Sequence, residues 1–315
     1  MSLISLHSSA PAVSAPGWID THCHLDAAEF DADRDAVVAR ARAGGVDGIV
    51  IPAVAVANFT TVRVLAQQHG LRYALGIHPM CSQNAGEADL AALRAALREQ
   101  RDDPQLVAVG EIGLDHFVAG LDPVHQASLL AAQLRLAAEF ELPVLLHVRR
   151  AVDSVLKLVR ASKVRAGIAH AFNGSEQQAE AFARLGFKLG FGGALTFDRA
   201  LRIRRLAAAV GETSIVMETD APDIAPQWLY RTAAARAAGA TMRNESAELA
   251  RIGETLAAVR GVAIERLRAV TTANALVALP RLALAVTSTA AVLPSSPAAP
   301  AMAQRPPFGA APSSL

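Results

Sequence analysis

The 315-residue chain carries 30 Lys and Arg against 29 Asp and Glu, and a net charge of +1 excludes a protein that coats long nucleic acid electrostatically. It leaves room for an enzyme that grips one strand end or a single phosphate. Hydrophobic residues make up 52% and aromatics only 4%, so the sequence asks for a large core of Ala, Val, Leu and Ile.

In chain order, residues 1–16 lack both a basic segment and a continuous apolar one, and they read as a flexible leader instead of a signal peptide. From Trp18 onward one alternation repeats. The apolar runs WIDTHCH, GIVIPAV, YALGIHP, VAVGEIGLD, PVLLHVRR, AGIAHAFNG, KLGFGGALTF and SIVMETDAP give eight candidate strands. Stretches with helical periodicity lie between them. DRDAVVARARA ends at Gly44-Gly45, DLAALRAALREQ has an acidic start, SEQQAEAFARL closes at Gly186, and DRALRIRRLAAAV closes at Gly211. Eight strand–helix units predict a parallel sheet closed into a (β/α)8 TIM barrel, which takes roughly 250 residues. A doubly wound open sheet is the competitor, but no Gly-rich phosphate fingerprint follows the first strand.

One domain over 17–283 accounts for the alternation. From residue 284 on, Ala, Pro and Ser dominate without periodicity, which predicts a disordered tail. Cys23 and Cys81 stand far apart and outside any paired motif, and no segment is apolar for long enough to span a bilayer. The expectation is a cytoplasmic enzyme with no membrane association and no obligate protein partner.

The chemistry-bearing residues share one register. His22 and His24 are two apart in the first run, so in a strand both imidazoles share a face and Cys23 takes the other. Glu111 interrupts an apolar run, His147 ends PVLL, His170 ends AGIA, and Asp220 ends SIVMET. Each alone reads as a satisfied polar residue at a strand mouth. Six such groups on five strand ends, brought together by barrel closure, read as a metal site. Six ligands exceed the three or four of a lone catalytic zinc. Two divalent ions need a bridge, and Glu111 on the fourth strand is the natural one. His22, His24 and Asp220 then complete one ion's shell, and His147 and His170 the other's. Mixed imidazole and carboxylate donors suit Zn, Mn, Co or Fe, and Mg less well.

His78, closing the third run, and Arg149, two beyond His147, are expected to contact substrate, since a guanidinium matches a phosphate's geometry. His7, His69, His116 and His125 receive no function, Cys81 has no base paired with it, and Asp115 reads as a cap or loop anchor.

DTHCHLD, GEIGLD, LHVRRA, AHAFNGS and ETDAP together resemble the signature segments of the TatD family, metal-dependent hydrolases of the amidohydrolase superfamily that include deoxyribonucleases. The resemblance runs from about Ile19 to Leu279. It implies that His22, His24, Glu111 and Asp220 bind one metal, and that Glu111, His147 and His170 bind the second. It also implies that Asp220 accepts a proton from the attacking water, with Glu111 beside it in the catalytic centre. Two departures stand out. AFNGS puts Asn173 where the family often has Ser, and TTANALVAL puts Ala275 in place of an aromatic, a change expected to affect packing alone. The implied activity is metal-assisted hydrolysis of a phosphodiester, most readily at a DNA end. The alternative is an amide or ester hydrolase, such as an aminoacyl-tRNA deacylase, on the same binuclear site. A non-catalytic nucleic-acid module predicts a basic stripe and lost ligands, and the sequence has neither.

Overall fold

The computed structural model describes residues 16–285. The leader, apart from Pro16, and the tail beyond 285 lie outside the described residues. Within them β1 (Trp18–Asp20), α1 (Arg34–Ala43), β2 (Val46–Pro52), α2 (Phe59–His69), β3 (Arg72–Leu75), α3 (Glu87–Glu99), β4 (Leu106–Asp115) and α4 (Pro123–Glu139) form the first half. The second half is β5 (Val144–Arg149), α5 (Val152–Ala161), β6 (Gly167–Ala169), α6 (Glu176–Arg184), β7 (Phe187–Phe191), α7 (Leu201–Ala209) and β8 (Ile215–Met217). After β8 come the short α8 (Ala233–Ala237), then α9 (Leu249–Arg260) and α10 (Ile264–Ala278).

Neighbouring strands pair in parallel and in chain order from β1 to β8. The ring is completed just past the strand ends. Thr21 N–H donates to the Met217 carbonyl at 3.1 Å, and His24 N–H to that of Ala221 at 2.8 Å. Asp220 N–H donates to the His22 carbonyl at 2.8 Å, and Cys23 and Ala221 form a parallel bridge. The eight-stranded barrel expected from the alternation is the fold.

Strands buried on both faces need apolar residues at nearly every position, and all ten residues of β4 are buried. The inner layer consists of Ile19, Val50, Ala74, Ala108, Leu145, Ile168 and Val216. Ala275, Ala278 and Leu279 from the end of α10, with Leu282 after it, pack against that layer. Ala275 is 1% exposed there, which gives the departure at this position a packing role. A second, larger cluster joins the outward strand residues to the inner faces of the helices.

Several boundaries differ from expectation. β1, β6 and β8 are only three residues long, because pairing across their mouth ends passes to single backbone bonds in the loops. β3 stops at Leu75, and His78 instead caps a 3-10 turn over Pro79–Asn84, its Nδ1 accepting from Met80 N–H. α7 begins at Leu201 because the residues before it turn back on Phe197, whose carbonyl accepts from Ala200 N–H. Ser175 and Gln178 form the capping box of α6, which ends at Gly186 in the left-handed region (φ 85°). Among the described residues no helix is long and apolar enough to cross a membrane.

Candidate metal centre

Alternate residues of a strand share a face, so each inward core residue is followed two positions later by another inward residue. Leu145 leads to His147 and Arg149, Ile168 leads to His170, and Val216 leads to Glu218 and Asp220. The apolar layer thus gives way to a polar one at the C-terminal ends of the strands, where barrel enzymes build their sites. His22 and His24 follow directly on β1, and Glu111 lies within β4. Asp220 (φ 55°) takes a left-handed backbone conformation, unusual for a residue with a side chain and a mark of a constrained site. Gly113 is needed because a Cβ there would lie 1.9 Å from the His147 carbonyl oxygen. A Cβ on Gly190 would lie 2.0 Å from the Glu218 carboxylate.

All six residues anticipated as metal ligands come together. Nε2 of His22 lies 3.3 Å from Nε2 of His24 and 3.1 Å from Glu111 Oε2. His24 Nε2 is 3.4 Å from the same oxygen, and Asp220 Oδ1 is 3.5 and 3.6 Å from the two imidazole nitrogens. His22, His24 and Glu111 thus offer three donor atoms close enough to hold one ion, and Asp220 Oδ1 stands beside both imidazole nitrogens. The residues therefore fit a divalent cation. Two imidazole nitrogens and two carboxylate oxygens turned on one point leave too few protons to satisfy one another.

The other oxygen of Glu111 faces a second set. Oε1 lies 2.9 Å from His147 Nδ1, 3.0 Å from His170 Nε2 and 3.3 Å from His78 Nε2. These three imidazoles are not equivalent. His147 directs Nε2 to Asp115 Oδ2 at 3.1 Å, and His170 has Nδ1 3.7 Å from Glu218 Oε1. Asp115 behind the His147 ring holds the proton on its far nitrogen and turns a lone pair toward Glu111, the arrangement of a supported metal ligand, whereas Glu218 stands too far from His170 for a hydrogen bond. His78 is the reverse. Its Nδ1 accepts from Met80 N–H, so a neutral ring carries its proton on Nε2, on the side of the ring that faces Glu111. His78 can belong to the site as a donor, and not as a ligand.

The electrostatics agree. Burial alone would raise the Glu111 carboxyl, but the fields of His78, His22 and His170 outweigh it and hold it well below the carboxylate range. Burial pushes His170 down, yet Glu111 and Asp220 carry it well above an ordinary imidazole. The cluster favours positive charge at its centre.

Several supporting residues are invisible to sequence reading. Asp115, expected as a loop anchor, does accept from Phe117 and Val118 N–H, and it also orients His147. Buried Asp20 accepts from Thr219 N–H and Oγ–H, from Ser246 Oγ–H and from His22 N–H, tying the His22 and Asp220 segments together. Asn244 donates from Nδ2 to the carbonyls of Thr219 and Asp223, on either side of Asp220.

Gln126 and Gln133, seven apart on one face of α4, replace missing strand neighbours. His116 N–H bonds to β5, so the Asp115 backbone points the other way, past the end of β3. Gln126 meets it there, accepting from Asp115 N–H at 2.9 Å and donating to its carbonyl at 3.2 Å. Gln133 does the same for Ile77, at 2.7 and 3.1 Å, directly before His78. His125, given no function above, donates to the Ser82 and Ala85 carbonyls and pins the turn that follows His78. Arg149 stands half-exposed at the mouth, 3.8 Å from Asp115 and with its guanidinium 3.9 Å from the Phe117 ring centre. Asn173 is exposed, and its carbonyl accepts from Arg202.

Asp115 carries a pH prediction. Burial raises its carboxyl, but bonds from His147, Val118 and Phe117 outweigh this and bring it from the usual 3.8 to about 2. A depressed folded-state value means stability present above about pH 4 and lost as pH falls toward 2. On the order of 1 kcal/mol should go between pH 5 and pH 3. Urea unfolding of the metal-free protein at both pH values is expected to show that loss, and Asp115→Asn to lack it. An unchanged pH slope in the variant would remove Asp115 from this role.

Comparison with known proteins adds the following. The model of the TatD related DNase family matches residues 19–279. A protein of Escherichia coli (strain K12) named uncharacterized metal-dependent hydrolase YjjV is 44% identical over 211 residues, covering 66% of this chain and 80% of its own. The 3'-5' ssDNA/RNA exonuclease TatD of Klebsiella pneumoniae (strain 342) is 34% identical over 259 residues, covering 81% of this chain and 95% of its own. The crystal structure of YjjV from Escherichia coli superposes with a TM-score of 0.76 at 36% identity, over 84% of this chain and 98% of that one.

Proposed function

The chain belongs to the TatD-related DNase family of metal-dependent hydrolases, and from that membership we propose that it cleaves phosphodiester bonds at the end of a single-stranded nucleic acid. The observation that carries this reading is Glu111, whose two oxygens face two separate sets of imidazole nitrogens. On this reading His22, His24 and Asp220 would hold one divalent ion, His147 and His170 would hold a second, and Glu111 would serve both. Divalent ions bound there supply Lewis acidity, acidifying a water and neutralising charge on a phosphoryl oxygen.

The protein's own groups do the rest. Asp220 accepts the proton of the attacking water. His78, with its proton on Nε2, donates to a phosphoryl oxygen and strengthens that bond as charge develops. Arg149, half-exposed beside His147, receives a neighbouring phosphate. A near-neutral surface holds nucleic acid weakly, which suits a terminus better than a long duplex. The exonuclease activity named for the Klebsiella relative is consistent with this substrate class.

The test is a rate panel on metal-reconstituted protein. It comprises single-stranded DNA, bis(p-nitrophenyl) phosphate, a simple carboxylic ester and a D-aminoacyl-tRNA. Both phosphodiesters are expected to be hydrolysed, with the nucleic acid preferred by kcat/KM. Turnover of the ester or the aminoacyl-tRNA with neither phosphodiester cleaved would transfer the site to acyl chemistry.

A further inference from the structure

The buried residues of α4 are Leu and Ala except for two glutamines, Gln126 and Gln133, each 1% exposed. A long amide loses more side-chain entropy on burial than leucine does and gives up its water, so filling space is not its use here. Seven residues apart, the two side chains stand on one stripe of the helix, about 10 Å from each other along its axis. Each makes the pair of bonds that a neighbouring strand would make. It accepts from one backbone N–H and donates to the carbonyl of the same residue, Asp115 for Gln126 and Ile77 for Gln133.

Both backbones lead straight to the metal cluster. His78 N–H donates to the Val54 carbonyl at 2.9 Å, while Gln133 holds Ile77, so the stretch entering His78 is gripped from two sides. Gln126 holds the backbone of Asp115, whose carboxylate meets His147 Nε2 at 3.1 Å. The two imidazoles served in this way converge on one atom. His78 Nε2 and His147 Nδ1 stand 3.3 and 2.9 Å from Glu111 Oε1, and their rings meet edge-on with centres 4.4 Å apart. One helix thus anchors both groups on that side of the cluster. Groups that bind a metal or a transition state must be held within about 0.5 Å of their working geometry, so anchors this close act on chemistry as well as on folding.

Resting on the binuclear phosphodiesterase reading above, we propose that Gln126 and Gln133 are positioning residues with separate clients. Gln126 acts through Asp115 on His147, and so on the affinity for the ion that His147 would hold. Gln133 acts through His78 on the charge that develops at the phosphoryl oxygen, and it leaves both ions in place. A purely structural role makes a different forecast. Two similar buried amides on one helix would then weaken the fold and touch neither function selectively.

The experiment uses Gln126→Met and Gln133→Met, which keep the length of the side chain and remove both bonds. Co(II) affinity is measured by titrating the metal-free protein, and kcat and KM on bis(p-nitrophenyl) phosphate at saturating Co(II). Gln126→Met is expected to weaken the ion that His147→Ala also loses by roughly 10- to 100-fold, and the other ion by less than about threefold. Gln133→Met should bind both ions within about threefold of the parent and lose roughly 10- to 100-fold in kcat, with KM little changed. The effects should also be coupled to their clients. Gln126→Met should add less than about twofold to the affinity loss of Asp115→Asn, and Gln133→Met less than about twofold to the rate loss of His78→Ala. Gln126→Glu and Gln133→Glu, which keep the bond from N–H, supply the same comparison where a Met variant does not fold. Parental affinity or equal weakening of both ions in the Gln126 variants, parental kcat in the Gln133 variants, or additive costs in the double variants would each overturn the assignment and leave the nuclease reading standing. A parent that binds two ions and cleaves no phosphodiester overturns that reading and the Gln133 role with it, while Gln126 is still judged on affinity alone.

Discussion

Glu111→Gln is expected to empty both ion positions and to leave turnover below about 1% of the parent, since it removes the charge that both ions share. The carboxylate presents Oε2 to His22 and His24 and Oε1 to His147 and His170. An amide has one oxygen and one NH2 group. Whichever way it turns, one set of imidazole lone pairs faces a donor, and neither ion keeps a negative ligand oxygen from this residue. His147→Ala is the contrasting variant, because it leaves His22, His24, Asp220 and Glu111 around the first position. It should retain close to one ion per chain. Elemental analysis of each variant, read beside its rate on bis(p-nitrophenyl) phosphate, separates the two outcomes. Two ions and parental turnover in Glu111→Gln would show that the bridge is misassigned.

The barrel and the six clustered groups were legible because both depend on short-range pattern. Parallel strands covered on both faces show as unbroken apolar runs, and a carboxylate or imidazole that interrupts such a run stands out. His22 and His24 declare a common face through their spacing alone. What stayed hidden depends on contacts between distant residues. Asp115 reads as a loop anchor because its bonds to Phe117 and Val118 are local, while its bond to His147 crosses 32 residues. Glu218 lies 47 residues from the Ala171 N–H it accepts, and in the sequence it is only the first letter of ETD. Gln126 and Gln133 look like ordinary polar positions of an amphipathic helix. Only the early end of β3 creates the unpaired backbone that they satisfy. His78 closes the third apolar run, but its proton position follows from the Pro79 turn, which no strand pattern contains.

Asp220→Asn should lower turnover by about 10²- to 10⁴-fold while metal content falls far less, because the change removes a proton acceptor and keeps a ligand oxygen. Asn is among the few residues with a side chain that adopt the left-handed conformation found here (φ 55°), so the backbone that aims the group is expected to persist. The amide oxygen can still face His22 and His24 as Oδ1 does, at 3.5 and 3.6 Å. What it lacks is basicity. Burial raises the Asp220 carboxyl above its ordinary value, with the fields of Glu111 and Glu218 adding to the rise and those of His170 and His22 opposing it. That rise belongs to the ion-free protein; a bound cation opposes it, and the carboxylate accepts a proton only when it is deprotonated. The parent's kcat/KM should therefore show an acidic limb that the variant lacks. Measuring the pH profile and the metal stoichiometry of both proteins distinguishes base from ligand. If turnover and metal content fell in parallel, with the acidic limb intact in whatever activity remained, Asp220 would be a ligand alone and the proton would have to leave by another group.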